Sequence, residues 1–255
     1  MPRDTPTARY RLDGKVALVT GASSGMGRAI SIAYADAGAR VLLVGRDEER
    51  LGDAHAEAAS AGECRSLRLD VTADDAPRRL VDEALAEYGR LDILVHAAGV
   101  FLPQPFEGNP LGDLDTQWLV NVRAPFALTQ AAMPHLGPGS AVIFLSSIAG
   151  IVGFPGAVAY CATKGAVELM SKALTLEYGA DGVRFNCIAP GNIRTPMNEH
   201  LLADPAYEQA MLDATPSRRI GTVDEIAGAA VFLASEAAAY MFGSSVVVDG
   251  GWTAG

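Results

Sequence analysis

The chain has 255 residues, 49% of them apolar and 20% charged, enough for one large buried core and too apolar for a disordered protein. Twenty Lys and Arg stand against thirty Asp and Glu, a formal net charge of −10. A nucleic-acid groove needs clustered basic charge to displace counterions from phosphates, so neither nucleic acid nor an acidic membrane surface is an expected partner. Cys64, Cys161 and Cys187 lie too far apart for a metal-ligand motif or a disulfide framework, which points to a reducing compartment and to no metal. The N-terminal stretch MPRDTPTARYRLDGK has no apolar signal region, and the longest apolar run, 226–234, is far short of the about 20 residues that cross a bilayer. A soluble, cytoplasmic protein is expected.

Short apolar runs alternate with helix-length segments. Strands are predicted over 15–20, 40–45, 64–69, 92–96, 141–146, 183–188 and 245–249, read as the apolar runs expected of strands covered on both faces. Helices are predicted over 25–38, 47–62, 74–89, 111–136, 156–179 and 223–235, several ending at a Gly. The alternation implies an α/β fold: a doubly wound, parallel, seven-stranded sheet with helices on both faces, one domain over 12–255 behind a flexible arm over 1–11. Ligands of such sheets bind beyond the carboxyl ends of the strands, so the chemistry is sought there.

After the first strand the chain reads Thr20-Gly21-Ala22-Ser23-Ser24-Gly25-Met26-Gly27 and enters a helix. Gly21 permits a tight turn, Gly25 a close approach to a pyrophosphate, and Gly27 close packing of helix on strand; the helix N-terminus offers free N–H groups to the anion. A tight turn with no ligand remains the plain alternative. The second strand ends in Gly45-Arg46, with no acid to take a ribose 2′-hydroxyl and a guanidinium suited to a 2′-phosphate. That favours NADP over NAD, against the weight of the neighbouring Asp47, Glu48 and Glu49. Asp70, after the third strand, either accepts from an adenine amino group or caps the next helix.

Tyr160 and Lys164 are four apart in a helical pattern and so share a face. An ammonium near a phenol favours the phenolate and brings a reference pKa of about 10 toward working pH, as a general acid or base requires. Ser147, at the end of a strand, can donate to the same substrate oxygen. Asn121 is a costly residue inside the predicted 111–136 helix unless its amide or a loosened backbone has a task.

In this combination the chain resembles the short-chain dehydrogenase/reductase family, in the compact branch that includes 3-oxoacyl-carrier-protein reductases and glucose dehydrogenases. The resemblance runs from about residue 12 to 251. It is carried by the Thr20–Gly27 turn, Asp70-Val71, Ala97-Ala98-Gly99, Asn121, Ser147 with Tyr160-x-x-x-Lys164, and Pro190-Gly191 with Thr195. It implies a Rossmann-type fold, Tyr160 as acid/base, Ser147 as the group that polarises the carbonyl, and Lys164 on the nicotinamide ribose. Asn121 would hold a water joining Lys164 to solvent, and Ile193 and Thr195 would contact the carboxamide and the phosphates. His96 stands where the family usually has Asn, and would line the adenosine ribose in its place; Met26 replaces a branched aliphatic. A homotetramer is also implied, with the 245–255 tail and its Trp252 packed across a subunit interface.

Segments 101–110, 148–155 and 196–216 supply apolar side chains around the site, the last as a substrate lid with Pro at both ends. The reading is an NADPH-dependent reductase of a hydrophobic ketone or β-keto compound. The alternatives are an NAD-linked alcohol, polyol or sugar dehydrogenase, and, in another class, a dinucleotide-binding sensor without catalysis.

Overall fold

The computed structural model describes residues 6–255. Seven parallel strands form one sheet in the order β3-β2-β1-β4-β5-β6-β7: β1 Val16–Thr20, β2 Arg40–Gly45, β3 Cys64–Arg68, β4 Ile93–His96, β5 Ala141–Leu145, β6 Arg184–Pro190 and β7 Ser245–Val248. The central strands are buried on both faces. Ala17 and Val19 of β1 pack toward Ile30, Tyr34 and Ile226, while Val16 and Leu18 pack toward Leu80, Leu128 and Val167. That two-sided burial is why the strands read as unbroken apolar runs, and each such aliphatic side chain contributes about 1.5–3 kcal/mol.

Helices α1 (Gly25–Asp36), α2 (Glu48–Ala61) and α9 (Val223–Ala234) supply one layer. Helices α3 (Ala76–Tyr88), α5 (Ala124–Ala132) and α6 (Val158–Tyr178) supply the other. Strand order reverses between β1 and β4, so the connections leave these two ends in opposite directions and open a crevice.

Beyond shifts of one or two residues at other element ends, the chain departs from the sequence reading as follows. The predicted 111–136 helix is broken into α4 (Leu111–Trp118), a π-helical turn over Leu119–Arg123, α5, and a 3-10 turn over Met133–His135. Helix α3 begins at Ala76 rather than Asp74, with Pro77 in its first turn. Segment 196–216 folds as two short helices, α7 (Glu199–Leu202) and α8 (Pro205–Ala214). Of the arm over 1–11, the first five residues lie outside the described ones. Pro6–Tyr10 is a 3-10 turn whose end is tied down: Tyr10 lies 6.2 Å from the Phe232 ring, and Arg11 donates to the Asp36 carbonyl at 3.0 Å.

Arg184 is buried at the start of β6 and donates to the carbonyls of Leu233, Ala234, Ser235 and Ala238. Leu233 and Ala234 end α9 and Ser235 is its C-cap, where the helix dipole also favours a cation, and Ala238 closes the 3-10 turn that follows. Arg184→Met is expected to lower the unfolding free energy by about 2–4 kcal/mol, read as the urea midpoint, since several buried carbonyls lose their donor. A loss below about 0.5 kcal/mol would contradict this role.

Candidate active site

Most of the expected dinucleotide contacts converge on one cleft of about 580 Å³ at the carboxyl ends of β1 to β4. Its walls include Gly21, Ser23, Ser24, Gly25, Met26 and Gly27 from the first turn, Arg46 after β2, Asp70 and Val71 after β3, and Ala97, Ala98 and Gly99 after β4. The first turn is built for close approach. A Cβ on Gly21 would lie 2.6 Å from the Ala98 nitrogen, and one on Gly27 would run into the Gly21 carbonyl. The N-cap of α1, Ser24, makes no side-chain hydrogen bond to the first turn, which leaves the N–H groups of α1 for an anion. The cradle therefore fits a dinucleotide pyrophosphate.

Arg46 lies on the cleft wall with Asp70 as an ion-pair partner, Nη1 to Oδ2 at 3.5 Å. The other Asp70 oxygen accepts from the Thr72 N–H at 2.9 Å and its hydroxyl at 2.7 Å. Asp70 thus closes a local turn and does not cap α3, whose N-cap is Asp75. Sequence reasoning missed Arg50, which lines the same end of the cleft from the first turn of α2, beside Asp47 at 3.6 Å. Its spacing from Arg46, four residues across a helix start, was the available signal.

His96 is not on the walls of this cleft. Its ring is 5% exposed, stacks on Phe144 at 4.8 Å, and has Nε2 2.9 Å from the Thr129 hydroxyl. Burial pushes its pKa down to about 3, so it is a neutral packing residue with one hydrogen bond. No ribose contact is assigned to it.

A second cavity, of about 530 Å³, adjoins the first and is mostly apolar; Met26, Thr195 and Met197 line both. Tyr160, Pro190, Gly191 and Ile193 are on its walls, as are Phe154 and, from the 196–216 segment, Leu201, Tyr207 and Met211. Thr195 is fixed by Asn198, whose Oδ1 accepts from its N–H at 3.0 Å and its hydroxyl at 3.1 Å.

Tyr160 is held on α6 with the Phe101 ring at 4.8 Å and the Ser147 side chain close enough to act on its pKa. Ser147 also accepts from the Ala149 N–H at 3.1 Å, capping a 3-10 turn over Ile148–Gly150. Lys164, one turn on along α6, has Nζ 5.5 Å from the Tyr160 ring centre and donates to the Leu145 carbonyl at 2.6 Å. Burial pushes Tyr160 up to about 12, partly offset by Ser147, and pushes Lys164 down to about 8, partly offset by Cys187 and Glu168. Both neutral forms are favoured by the dry surroundings.

Asn121 sits in the π turn, buried, where the Ala124 N–H reaches back to the Leu119 carbonyl. Its Oδ1 accepts from the Val100 N–H and its Nδ2 donates to the Val100 carbonyl, both at 2.9 Å, with the Thr163 hydroxyl at 3.2 Å from Nδ2. The amide therefore acts as a strand neighbour would toward the loop after β4. Both Asn121 Oδ1 and Lys164 Nζ come within 4 Å of where a Cβ on Gly99 would stand, so this Gly leaves the two side chains facing the same space.

Among the described residues no cluster of His, Cys, Asp or Glu could hold a metal ion, and no helix is long and apolar enough to cross a membrane. The lowered Lys164 value carries a pH consequence. Between about pH 8 and the unfolded value of 10.5 the unfolded chain binds the proton and the folded one does not, so this group makes stability rise with pH there. The parent is expected to gain stability relative to Lys164→Met on going from pH 8 to pH 10, measured as paired urea midpoints. A parallel pH response of the two proteins would contradict the shift.

A family model described as enoyl-(acyl carrier protein) reductase matches residues 21–253. A D-threitol dehydrogenase of Mycolicibacterium smegmatis is 41% identical over 252 residues, covering 96% of this chain and 95% of its own. Two solved structures superpose closely. One is a short-chain type dehydrogenase/reductase from Mycobacterium marinum, with a TM-score of 0.93, 34% identity, and 98% and 100% of the two chains covered. The other is a putative NAD(P)-dependent gluconate 5-dehydrogenase from Beutenbergia cavernae with bound NADP, with a TM-score of 0.90, 34% identity, and 97% and 100% covered.

Proposed function

The chain belongs to the short-chain dehydrogenase/reductase family and is an NAD(P)-dependent oxidoreductase acting on CH–OH groups, and on that premise we propose that it uses NADP to interconvert a secondary alcohol and a ketone in the apolar cavity beside Tyr160. The observation that carries this reading is the junction of two cavities. A cleft shaped for a dinucleotide meets an apolar one at Met26, Thr195 and Met197, and Tyr160 stands on the wall of the second. When bound, the nicotinamide gives or takes the hydride.

The chain's own residues handle the proton and the oxygen. Ser147, just past the end of β5, and Tyr160, on α6, are the donors for a substrate oxygen placed between them and the cleft. Ser147 orients and polarises the carbonyl, and Tyr160 transfers the proton. With its pKa pushed up to about 12, Tyr160 keeps that proton at neutral pH, the state that ketone reduction needs. In alcohol oxidation it must act as a phenolate, which a charged Lys164 favours. Asn121 fixes Val100 and so the loop that walls both cavities. Ile193 and Thr195 hold the nicotinamide end, and the segment over 196–216 closes the cavity as a lid.

A polyol or sugar alcohol is a second reading, as well supported as a simple ketone. It is favoured by polar side chains among the apolar lining, Gln104, Asn192 and Asn198. Preference for NADP is supported by Arg46 and Arg50 together at the end of the cleft. A homotetramer in the cytoplasm completes the proposal.

Parallel titration with NADPH and NADH, followed by nicotinamide fluorescence, tests the cofactor reading. The parent is expected to bind NADPH the more tightly. Arg46→Ala is expected to weaken NADPH about tenfold, the worth of one charge-assisted phosphate contact, and to leave NADH unchanged. Equal loss for both cofactors, or none, would return Arg46 to the role of an ion-pair partner of Asp70.

A further inference from the structure

The C-terminal turn is placed with a care that its position in the chain does not explain. After β7, Asp249 accepts from the Gly251 N–H and the Thr253 N–H at 2.8 Å and from the Thr253 hydroxyl at 2.7 Å. Gly250 and Gly251 both have positive φ, 65° and 92°, a conformation that other residues resist. A Cβ on Gly250 would lie 2.5 Å from the Ser217 hydroxyl, and the Ser217 N–H donates to the Gly250 carbonyl at 3.0 Å. The turn is thus locked both to itself and to the chain that leaves α8. What this lock fixes is Trp252.

Trp252 lines the apolar cavity and stacks on Phe154, with ring centres 5.6 Å apart and an interplanar angle of 29°. A second aromatic pair, Phe101 and Tyr160, lines the same cavity. Trp252 and Phe154 are only half-buried, so each keeps part of its ring uncovered. Aromatic side chains offer a broad face at small conformational cost, and such faces match the flat C–H face of a ring better than a flexible chain.

We propose that Trp252 is a specificity-determining residue, and that with Phe154 it forms a platform selecting cyclic secondary alcohols and ketones over open-chain ones. The proposal rests on the oxidoreductase reading above and deepens it by naming the substrate class of the same cavity. Trp252 acts on binding alone. The hydride and proton steps are unchanged, so the effect falls on KM and on ligand affinity rather than on kcat.

The test uses two readouts. In the first, the parent, Trp252→Leu and Trp252→Phe are assayed with NADP on cyclohexanol and on 3-hexanol, which have the same number of carbons. KM for cyclohexanol is expected to rise about tenfold in Trp252→Leu and to be largely restored in Trp252→Phe, with kcat/KM for 3-hexanol within about twofold of the parent. Equal losses on both alcohols would make Trp252 a structural residue and overturn the proposal, as would no change on either. The second readout needs no turnover. The chain has two tryptophans, and Trp118, on α4, is outside both cavities, so Trp118→Phe leaves Trp252 as the sole indole reporter. With NADP present, cyclohexanone is expected to change its fluorescence at a concentration at least about tenfold below that needed with 3-hexanone. Equal or absent responses would overturn the ring platform. Turnover of both alcohols without discrimination overturns it too, and leaves the oxidoreductase reading intact. Discrimination in fluorescence with no turnover of any alcohol would tell against that reading and in favour of the platform.

Discussion

Everything at the site depends on how closely backbone packs where β1 and β4 end. Gly27 must lie on the Gly21 carbonyl, and Gly21 must lie against Ala97 and Ala98, with no room at either place for a Cβ. The same contacts bring the N-terminus of α1 and the loop after β4 to one edge of the cleft. The reversal of strand order at this point opens the crevice, and the missing side chains let a ligand come down onto N–H groups. A bulkier residue at either glycine would move β1, α1 and the 97–100 loop apart together.

The reacting end is governed by desolvation. Tyr160 and Lys164 share one face of α6 in dry surroundings, and both shift toward their neutral forms. The phenol keeps its proton, while the lysine is brought to about 8, close enough to neutrality to respond to its neighbours. Cys187 and Glu168, on the inner side, pull Lys164 back toward the charged form. Asn121 adds no charge. It fixes the Val100 backbone by two hydrogen bonds from a π turn, and π turns of this kind recur at functional sites.

Much of this was legible in the sequence, for identifiable reasons. The central strands β1, β2, β4 and β5, buried on both faces, leave apolar runs that can be read directly, while the edge strand β3, with Arg65, Ser66 and Arg68, is legible mainly from its place between helices; the glycine spacing after β1 exposes the phosphate turn. Asn121 stood out as a poor helix residue, and the structure supplies the loosened backbone that explains it. The π turn itself left no other mark, because its residues keep a helical pattern on both sides. His96 is expected at the adenosine ribose because it stands where the family usually has Asn. Strand alternation turns its ring to the opposite face, onto Phe144. Arg50 escapes notice because helix starts are commonly charged; Trp252 is expected at a subunit interface rather than at the cavity, because only folding brings the last turn of the chain beside Phe154.

The central claim is that Tyr160 carries the proton of the redox step, and replacing its hydroxyl tests this most directly. Tyr160→Phe is expected to keep NADPH affinity within about twofold and to lower kcat for ketone reduction by about 10²–10⁴-fold, the range for loss of one general acid. Turnover close to the parent's, with cofactor binding intact, would contradict the assignment and move the acid to another group on the cavity wall.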